Sequence, residues 1–320
     1  MQKRCVLVNQ DSQDGDVVIN LMLFYESCGY EVTMTTEPKP ADLVVIQRAF
    51  RRESDPPVRI EAADLHVYDY SKMPNGHYAR SLTGVDRYHL ITLDRTADDP
   101  RAQLVAGNHP VMTGLWVPAG DLGPVRYPGV HIGNLKESVR SDPLQASFER
   151  YAARSPGCHF FGGGWHLVPG VDARGHGHIT LHESQSVYRS SGCGFGIMYP
   201  YQRQQALSGR MWQGPLNGCP IYTEALPPDL ALPGVVRTHD YSEMLHLPPP
   251  LSHAERHDLV SRAQKYWDQD AARIAAGLGL ELRPAPTGRV ASLYRKHVVA
   301  HHARLKLRRQ LSRVKQALIS

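Results

Sequence analysis

Residues 208–224, SGRMWQGPLNGCPIYTE, hold the side chains best suited to chemistry in this chain. Arg210 offers a permanent planar cation whose fork of N–H groups matches phosphate oxygens. Gln213, three positions on, falls on the same face of a helix, where its amide can reach a hydroxyl. At the start of a short helix the arginine also adds a full charge to the partial positive charge of the first turn, which makes a site for a diphosphate. Gly209, Gly214 and Gly218 leave room for the backbone to approach such a ligand. Pro215 and Pro220 stop the helix, and the chain continues as a short apolar run closing on Thr223 and Glu224.

Other polar clusters carry less. Asp14 and Asp16 flank a glycine in the loop QDSQDGD, and D-G-D has the form of a metal-binding pair, yet a turn before a helix accounts for it. GHGHITLHE gathers His176, His178, His182 and Glu183, but the spacing fits no familiar ligand set in a chain with 17 histidines. These side chains are expected at the surface or in an acceptor cleft, and no metal site is expected. SGCGFG, residues 191–196, leads into a strand, whereas phosphate loops lead from a strand into a helix. The five cysteines are odd in number, widely spaced and never in a C-x-x-C pair, so they are expected to be reduced and mostly buried.

The elements that must position these groups form two series. RCVLVN reads as a buried strand and VVINLMLFYESCGY as a helix closed by Gly29. EVTMTT, ADLVVIQ, DLHVYDY and YHLITLD follow as short β-branched or aromatic strands, a pattern suited to a parallel, doubly wound sheet. Residues 107–128 are rich in Gly and Pro and read as a crossing. A second series then runs through GVHIGN, a helix with Asp142 as N-cap and Pro143 in its first turn, CHFFGGGW, GFGIMYP, the opening stretch, GVVRTHD and YSEMLHL. LSHAERHDLVSRAQKYWDQDAARIAAGL closes it as a helix. The fold class expected is α/β: two Rossmann-like domains, residues 1–120 and 121–282, facing a cleft, followed by a basic amphipathic tail over 283–320. Trp165 and Trp212 are expected to pack, with Trp165 also able to line a pocket beside its glycine turn.

The totals agree with a folded protein: 320 residues, 42% hydrophobic and 21% charged. No apolar run spans a bilayer and MQKRCVLVNQ holds no cleavable signal, so a cytoplasmic location is expected. The net charge of +5 is uneven, because the stretch from Arg283 onward has ten Lys or Arg and no acid, which leaves 26 basic against 31 acidic residues before it. Leu307, Leu311, Val314 and Leu318 form a helical stripe in that tail, and residues 289–320 suit either packing on the body or peripheral contact with anionic lipid.

The pattern R-x-W-[E/Q], an apolar step, G-x-P and a terminal T-E resembles the donor-site segment of GT-B glycosyltransferases. The likeness is to the spore-maturation branch and to bacteriophage DNA β-glucosyltransferases. In those families the arginine binds the nucleotide diphosphate and a glutamate binds the ribose; Arg210 matches, and Gln213 stands where the glutamate is usual. VHIGNLKESVR places Gly133 and Asn134 at a strand end with Lys136 and Arg140 after them, and resembles the family's second phosphate-gripping loop. HFFGGGW, with Gly163 and Trp165, resembles the turn before the nucleobase pocket. Asp69, at a strand end in the first half, stands where similar families carry a base, with Asp14 and Asp16 as second choices. The resemblance implies a nucleotide-sugar donor, a UDP-sugar first, with no prosthetic group, and metal-independent displacement by an acceptor hydroxyl. The acceptor implied is a lipid-linked or cell-surface glycan; a hydroxymethylated DNA base is the alternative, and a sugar-nucleotide-binding protein without turnover is a third reading.

Overall fold

The computed structural model of the chain describes residues 2–9, 15–35, 37–47, 58–69, 82–92, 99–107, 110–113, 122–135, 142–165, 168–171, 174–177, 179, 181–197, 207–224, 226, 230–238, 241 and 246–283. Structural statements below concern these residues. Lys136, Arg140, Asp14 and the tail expected to be helical, 284–320, lie outside them.

The first half builds a six-stranded, wholly parallel sheet. Its strands are β1 (Arg4–Asn9), β2 (Glu31–Thr35), β3 (Ala41–Gln47), β5 (Ala62–Asp69), β7 (Tyr88–Thr92) and β8 (Ala102–Ala106), in the order β2-β1-β3-β5-β7-β8. Two short strands, β4 (Val58–Arg59) and β6 (Leu82–Thr83), pair apart from it. Helix α1 (Gly15–Ser27) is apolar almost throughout and is buried accordingly. Gly29 closes it with a positive φ of 88°, and the Tyr30 amide bonds back to the Tyr25 carbonyl.

The second sheet has five parallel strands: β9 (Tyr127–Ile132), β10 (Cys158–Phe161), β11 (Ser191–Gly196), β12 (Ile221–Thr223) and β13 (Val235–Arg237). Their order is β10-β9-β11-β12-β13. Helix α2 (Pro143–Arg154) starts as expected, with the Asp142 side chain accepting from the Gln145 amide and proline in the first turn. It covers one face with Phe148 and Tyr151, while α3 (Leu181–Arg189) covers the other with Val187 and Tyr188. SGCGFG is itself β11, not the approach to a strand. All six residues are buried, and a Cβ on Gly194 would come 2.5 Å from Ile221 Cδ1, so the glycines let the central strand pack tightly. YSEMLHL does not read as expected either: Tyr241 and the described residues from 246 to its end are not strand.

Helix α5 (His253–Gly277) opens on a full capping box between Ser252 and Glu255. It serves both halves. Leu259 packs where a Cβ on Gly234 would collide with it, and the side chain of Ile274 lies 2.8 Å from where Gly107 would carry a Cβ, just beyond β8. The Thr113 hydroxyl donates to Asp268 at 2.6 Å, and the Arg283 amide bonds to the Ser27 carbonyl. Residues from α1, the first sheet and α5 therefore share one core cluster with Met211 and Trp212. Ile274→Ala, which opens a cavity in that shared core, is expected to cost ~2–5 kcal/mol. Urea unfolding should show it as a lower midpoint of one transition for both halves, without a second one appearing.

Candidate functional site

The second sheet has its topological switch between β9 and β11, because the chain leaves β9 toward β10 on one side and returns to β11 on the other. Loops diverge at the carboxyl ends of such neighbours and leave a crevice. Arg210 fills it. Its Nε donates to the Ile132 carbonyl at the end of β9 (2.5 Å) and its Nη1 to the Ile197 carbonyl just after β11 (3.0 Å). The guanidinium lies so close to Gly133 that a Cβ there would collide with Nη2. Arg210 begins α4 (Arg210–Gln213), and the next two residues, Met211 and Trp212, are buried in the core shared by both halves. The cation thus stands at the carboxyl edge of the second sheet, beside the seam with the first.

One expectation needs correction. α4 is a single turn of four residues, too short to supply an N-terminal dipole, so the positive charge here is the guanidinium itself. A second correction concerns the glycines. Gly214 is required because a Cβ would strike Ile221, and Gly218 because its φ is 72° and a Cβ would lie 2.9 Å from Leu122. Both serve packing within the protein and not the approach of a ligand.

The loop after β9 is held by the turn after β10. The Gly133 amide bonds to the Phe161 carbonyl (2.7 Å) and the Leu135 amide to Gly163 (2.8 Å). Asn134 Oδ1 accepts from the Gly163 amide at 2.8 Å. Gly162 and Gly164 have φ of 139° and 88°, and side chains there would run into the carbonyls of Gly133 and Leu135. Trp165 is only 1% exposed. It packs edge-on against His131, and its indole N–H donates to the Gly133 carbonyl at 2.7 Å. Gly133, Asn134, Gly163 and Trp165 are therefore brought together, as one backbone-to-backbone assembly.

His131 was not among the sequence candidates. Its signal was a polar residue inside the strand VHI, between two apolar ones. It is buried, and Nδ1 lies 3.0 Å from the Phe195 carbonyl; since a carbonyl only accepts, Nδ1 carries the proton. Burial, then the nearby Arg210 charge, push its imidazole well below the ordinary range, so it stays neutral at pH 7. Nε2 faces the same side of Gly133 as the guanidinium, 3.0 Å from where a Cβ would sit.

Glu224 follows β12 at the same carboxyl edge, buried, with Tyr241 donating to Oε2 at 2.8 Å. Thr223 donates its hydroxyl to the Gly196 carbonyl and ties β12 to β11. Gln213 is half-buried at the end of α4, its carbonyl accepting from Asn217 Nδ2. In the first half, Asp69 occupies the carboxyl end of β5, opposite Thr92 of β7. Asp16 lies in the first turn of α1. The histidine segment divides: His176 is exposed and stacks on His159 and Phe161, whereas His182 and Glu183 belong to α3.

The chain matches no protein-family model and none of the curated proteins. Solved structures do match. Phage T4 β-glucosyltransferase in complex with UDP and Mn2+ superposes with a TM-score of 0.50 at 10% identity, covering 86% of this chain and 97% of that one. A single-residue variant of the same phage enzyme in complex with UDP-glucose superposes at 0.51 and 8% identity, covering 92% and 99%. At such identity the likeness is one of fold: the chain has the GT-B fold.

The neutral His131 gives a test of the site's electrostatics. Its folded-state proton affinity lies below that of the unfolded chain, so the unfolded state takes up protons first as the pH falls. Stability from this group is complete above the ordinary value of 6.5 and declines by ~1.4 kcal/mol per pH unit below it, until the folded-state value is reached. His131→Gln is expected to flatten that decline in chemical denaturation between pH 7 and 5.

Proposed function

We propose that the protein is a glycosyltransferase that moves a sugar from a UDP-sugar to an acceptor hydroxyl. The observation that carries this reading is the Arg210 guanidinium, caught between the carboxyl ends of β9 and β11 at the switch point of a GT-B fold. Ligands of open parallel sheets bind at that crevice. A cation fixed there by two carbonyls meets a diphosphate without reorganising, and it favours the charge that develops as the diphosphate leaves. Lys136 and Arg140 follow the Gly133–Asn134 loop in sequence and suit the same phosphates. Besides Gln213, which stands where the family's ribose-binding glutamate is usual, Glu224 suits the ribose, since it follows β12 at this edge and is oriented by Tyr241.

The reaction is a single displacement. The acceptor oxygen bonds to the anomeric carbon, the bond from that carbon to the diphosphate oxygen breaks with its electron pair, and the acceptor proton passes to a base. Asp69 is the base proposed, because β5 delivers it to the carboxyl edge of the first sheet. Inversion at the anomeric carbon follows from one displacement. For the acceptor, a lipid-linked or cell-surface glycan suits a body with 26 basic against 31 acidic residues and a separate basic tail, 289–320, able to meet anionic lipid. A hydroxymethylated base in DNA is the second reading, favoured by the fold shared with an enzyme described as DNA-modifying. Among the described residues no helix is long and apolar enough to cross a membrane.

Thermal unfolding against UDP-, GDP-, CMP- and dTDP-sugars tests the donor. A UDP-sugar at ~100 times its Kd should add ~2.7 kcal/mol of stability, with no comparable gain from the others. Arg210→Lys should weaken that gain by removing the fork, and Gly133→Ala should weaken it by displacing the guanidinium while keeping its charge. An undiminished gain in both variants would place the donor elsewhere. UDP release in the presence of glycolipid vesicles, or of DNA carrying hydroxymethylcytosine, then separates the two acceptors, and UDP-sugar binding without release in either case points to a binding protein.

A further inference from the structure

A second polar cluster lies in the first half, away from the donor crevice. β5 and β7 pair in parallel with His66 opposite His89, so both side chains rise on one face of the sheet, and Asp64, two residues before His66, rises with them. His66 is fully buried; Asp64 is partly open to solvent. Nδ1 of His66 is held by Tyr25 Oη of α1 at 2.7 Å, and Tyr25 Oη is 2.9 Å from Tyr68 Oη. That leaves Nε2 turned to Asp64 Oδ2, 3.1 Å away. His89 meets the His66 ring edge to face, with centroids 5.2 Å apart, and its Nδ1 is buried without a hydrogen-bond partner. One ligand atom from each of Asp64, His66 and His89 lies within 4.8 Å of the other two.

We propose that Asp64, His66 and His89 form a binding site for a divalent transition-metal ion of the zinc type. Two imidazoles and one carboxylate are a ligand set that such ions accept, with a fourth position left to water on the open Asp64 side. Bonds of ~2.0–2.1 Å at tetrahedral angles set ligand atoms ~3.3 Å apart. The His66–Asp64 pair already has that spacing, at 3.1 Å. His89 reaches it by a turn of its ring, which also gives its buried, unpartnered Nδ1 something to bind. Metal on Nε2 of His66 needs Nδ1 to carry a proton and donate it, and Tyr25 Oη is placed to accept, with Tyr68 behind it; such an outer contact fixes the tautomer and the plane of the ring. The ion would join α1, β5 and β7 at one point, ~10 Å along β5 from Asp69. Its role is to hold the strand that carries the proposed base, and the site does not depend on the donor reading.

The test uses the full chain, stripped with chelator and titrated with Co2+ and Zn2+. The wild type is expected to bind one tight equivalent giving the visible absorption of tetrahedral Co2+, and to unfold at a higher temperature with Zn2+. Asp64→Asn and His89→Gln should each lose that equivalent, while the double variant His159→Gln/His176→Gln should keep it. Imidazole 1H–15N spectra of the wild type during the Zn2+ titration avoid any question of variant folding: the His66 and His89 resonances should move first. Equal stoichiometry and affinity in wild type and Asp64→Asn, no tetrahedral Co2+ signal, or Zn2+ binding that leaves those two rings unmoved would each overturn the proposal and leave a hydrogen-bonded network only.

Discussion

A charged group inserted between two neighbouring strand ends organises the second half of this protein. Parallel strands whose connections diverge leave carbonyls at their carboxyl ends with no partner in the sheet, and such groups are costly when water is excluded. Arg210 satisfies those of Ile132 and Ile197 together. To reach them it must pass over a residue with no side chain, which makes Gly133 obligatory, and the amide of Gly133 is in turn held by Phe161 at the end of β10. Around that contact gather the positive-φ glycines of the adjacent turn, the indole N–H of Trp165 on the Gly133 carbonyl, and His131, kept neutral by burial first and by the neighbouring cation second.

The same economy of side chains appears in the neighbouring elements. β11 lies between β9 and β12 with three glycines among its six buried residues, and the space they release is taken by Ile221 and Thr223 of β12 and by the Pro128 carbonyl. The central strand is thus packed closely, against side chains at Gly194 and Gly196 and against backbone at Gly192. A second arginine, this one buried, does comparable work at the other end of the strands. Arg256 of α5 donates to the carbonyls of Gly123, Gly218 and Arg189, tying the helix to the approach to β9, to the turn before β12 and to the end of α3. Through α5 the first sheet is coupled to this arrangement, because Ile274 and Ala271 share its core.

Much of this was legible in the chain. Short β-branched or aromatic runs gave most of the strands of both parallel sheets, Gly29 gave the end of α1, and Asp142 with Pro143 gave the start of α2. β8 was missed because AQLVA is short and only Val105 among its residues is buried, and α3 was missed because His182 and the histidines before it drew attention to ligand chemistry instead of to helical spacing. Glycines proved the least readable residues. SGCGFG read as the approach to a strand and is the strand itself, and Gly214 and Gly218 read as room for a ligand, whereas a Cβ there would meet Ile221 and Leu122.

The sequence by itself determined most of the strands and helices, though not β8 or α3, and that a cation, an asparagine and a glutamate stand near strand ends, because those properties depend on local spacing and side-chain type. Only the tertiary structure decided that Arg210 straddles β9 and β11, that Trp165 is a structural clamp, that His131 stays uncharged and that Asp64, His66 and His89 converge. Each depends on strand order and on which backbones come into contact. Those are set by burial summed over the whole chain, and no short stretch of residues encodes them.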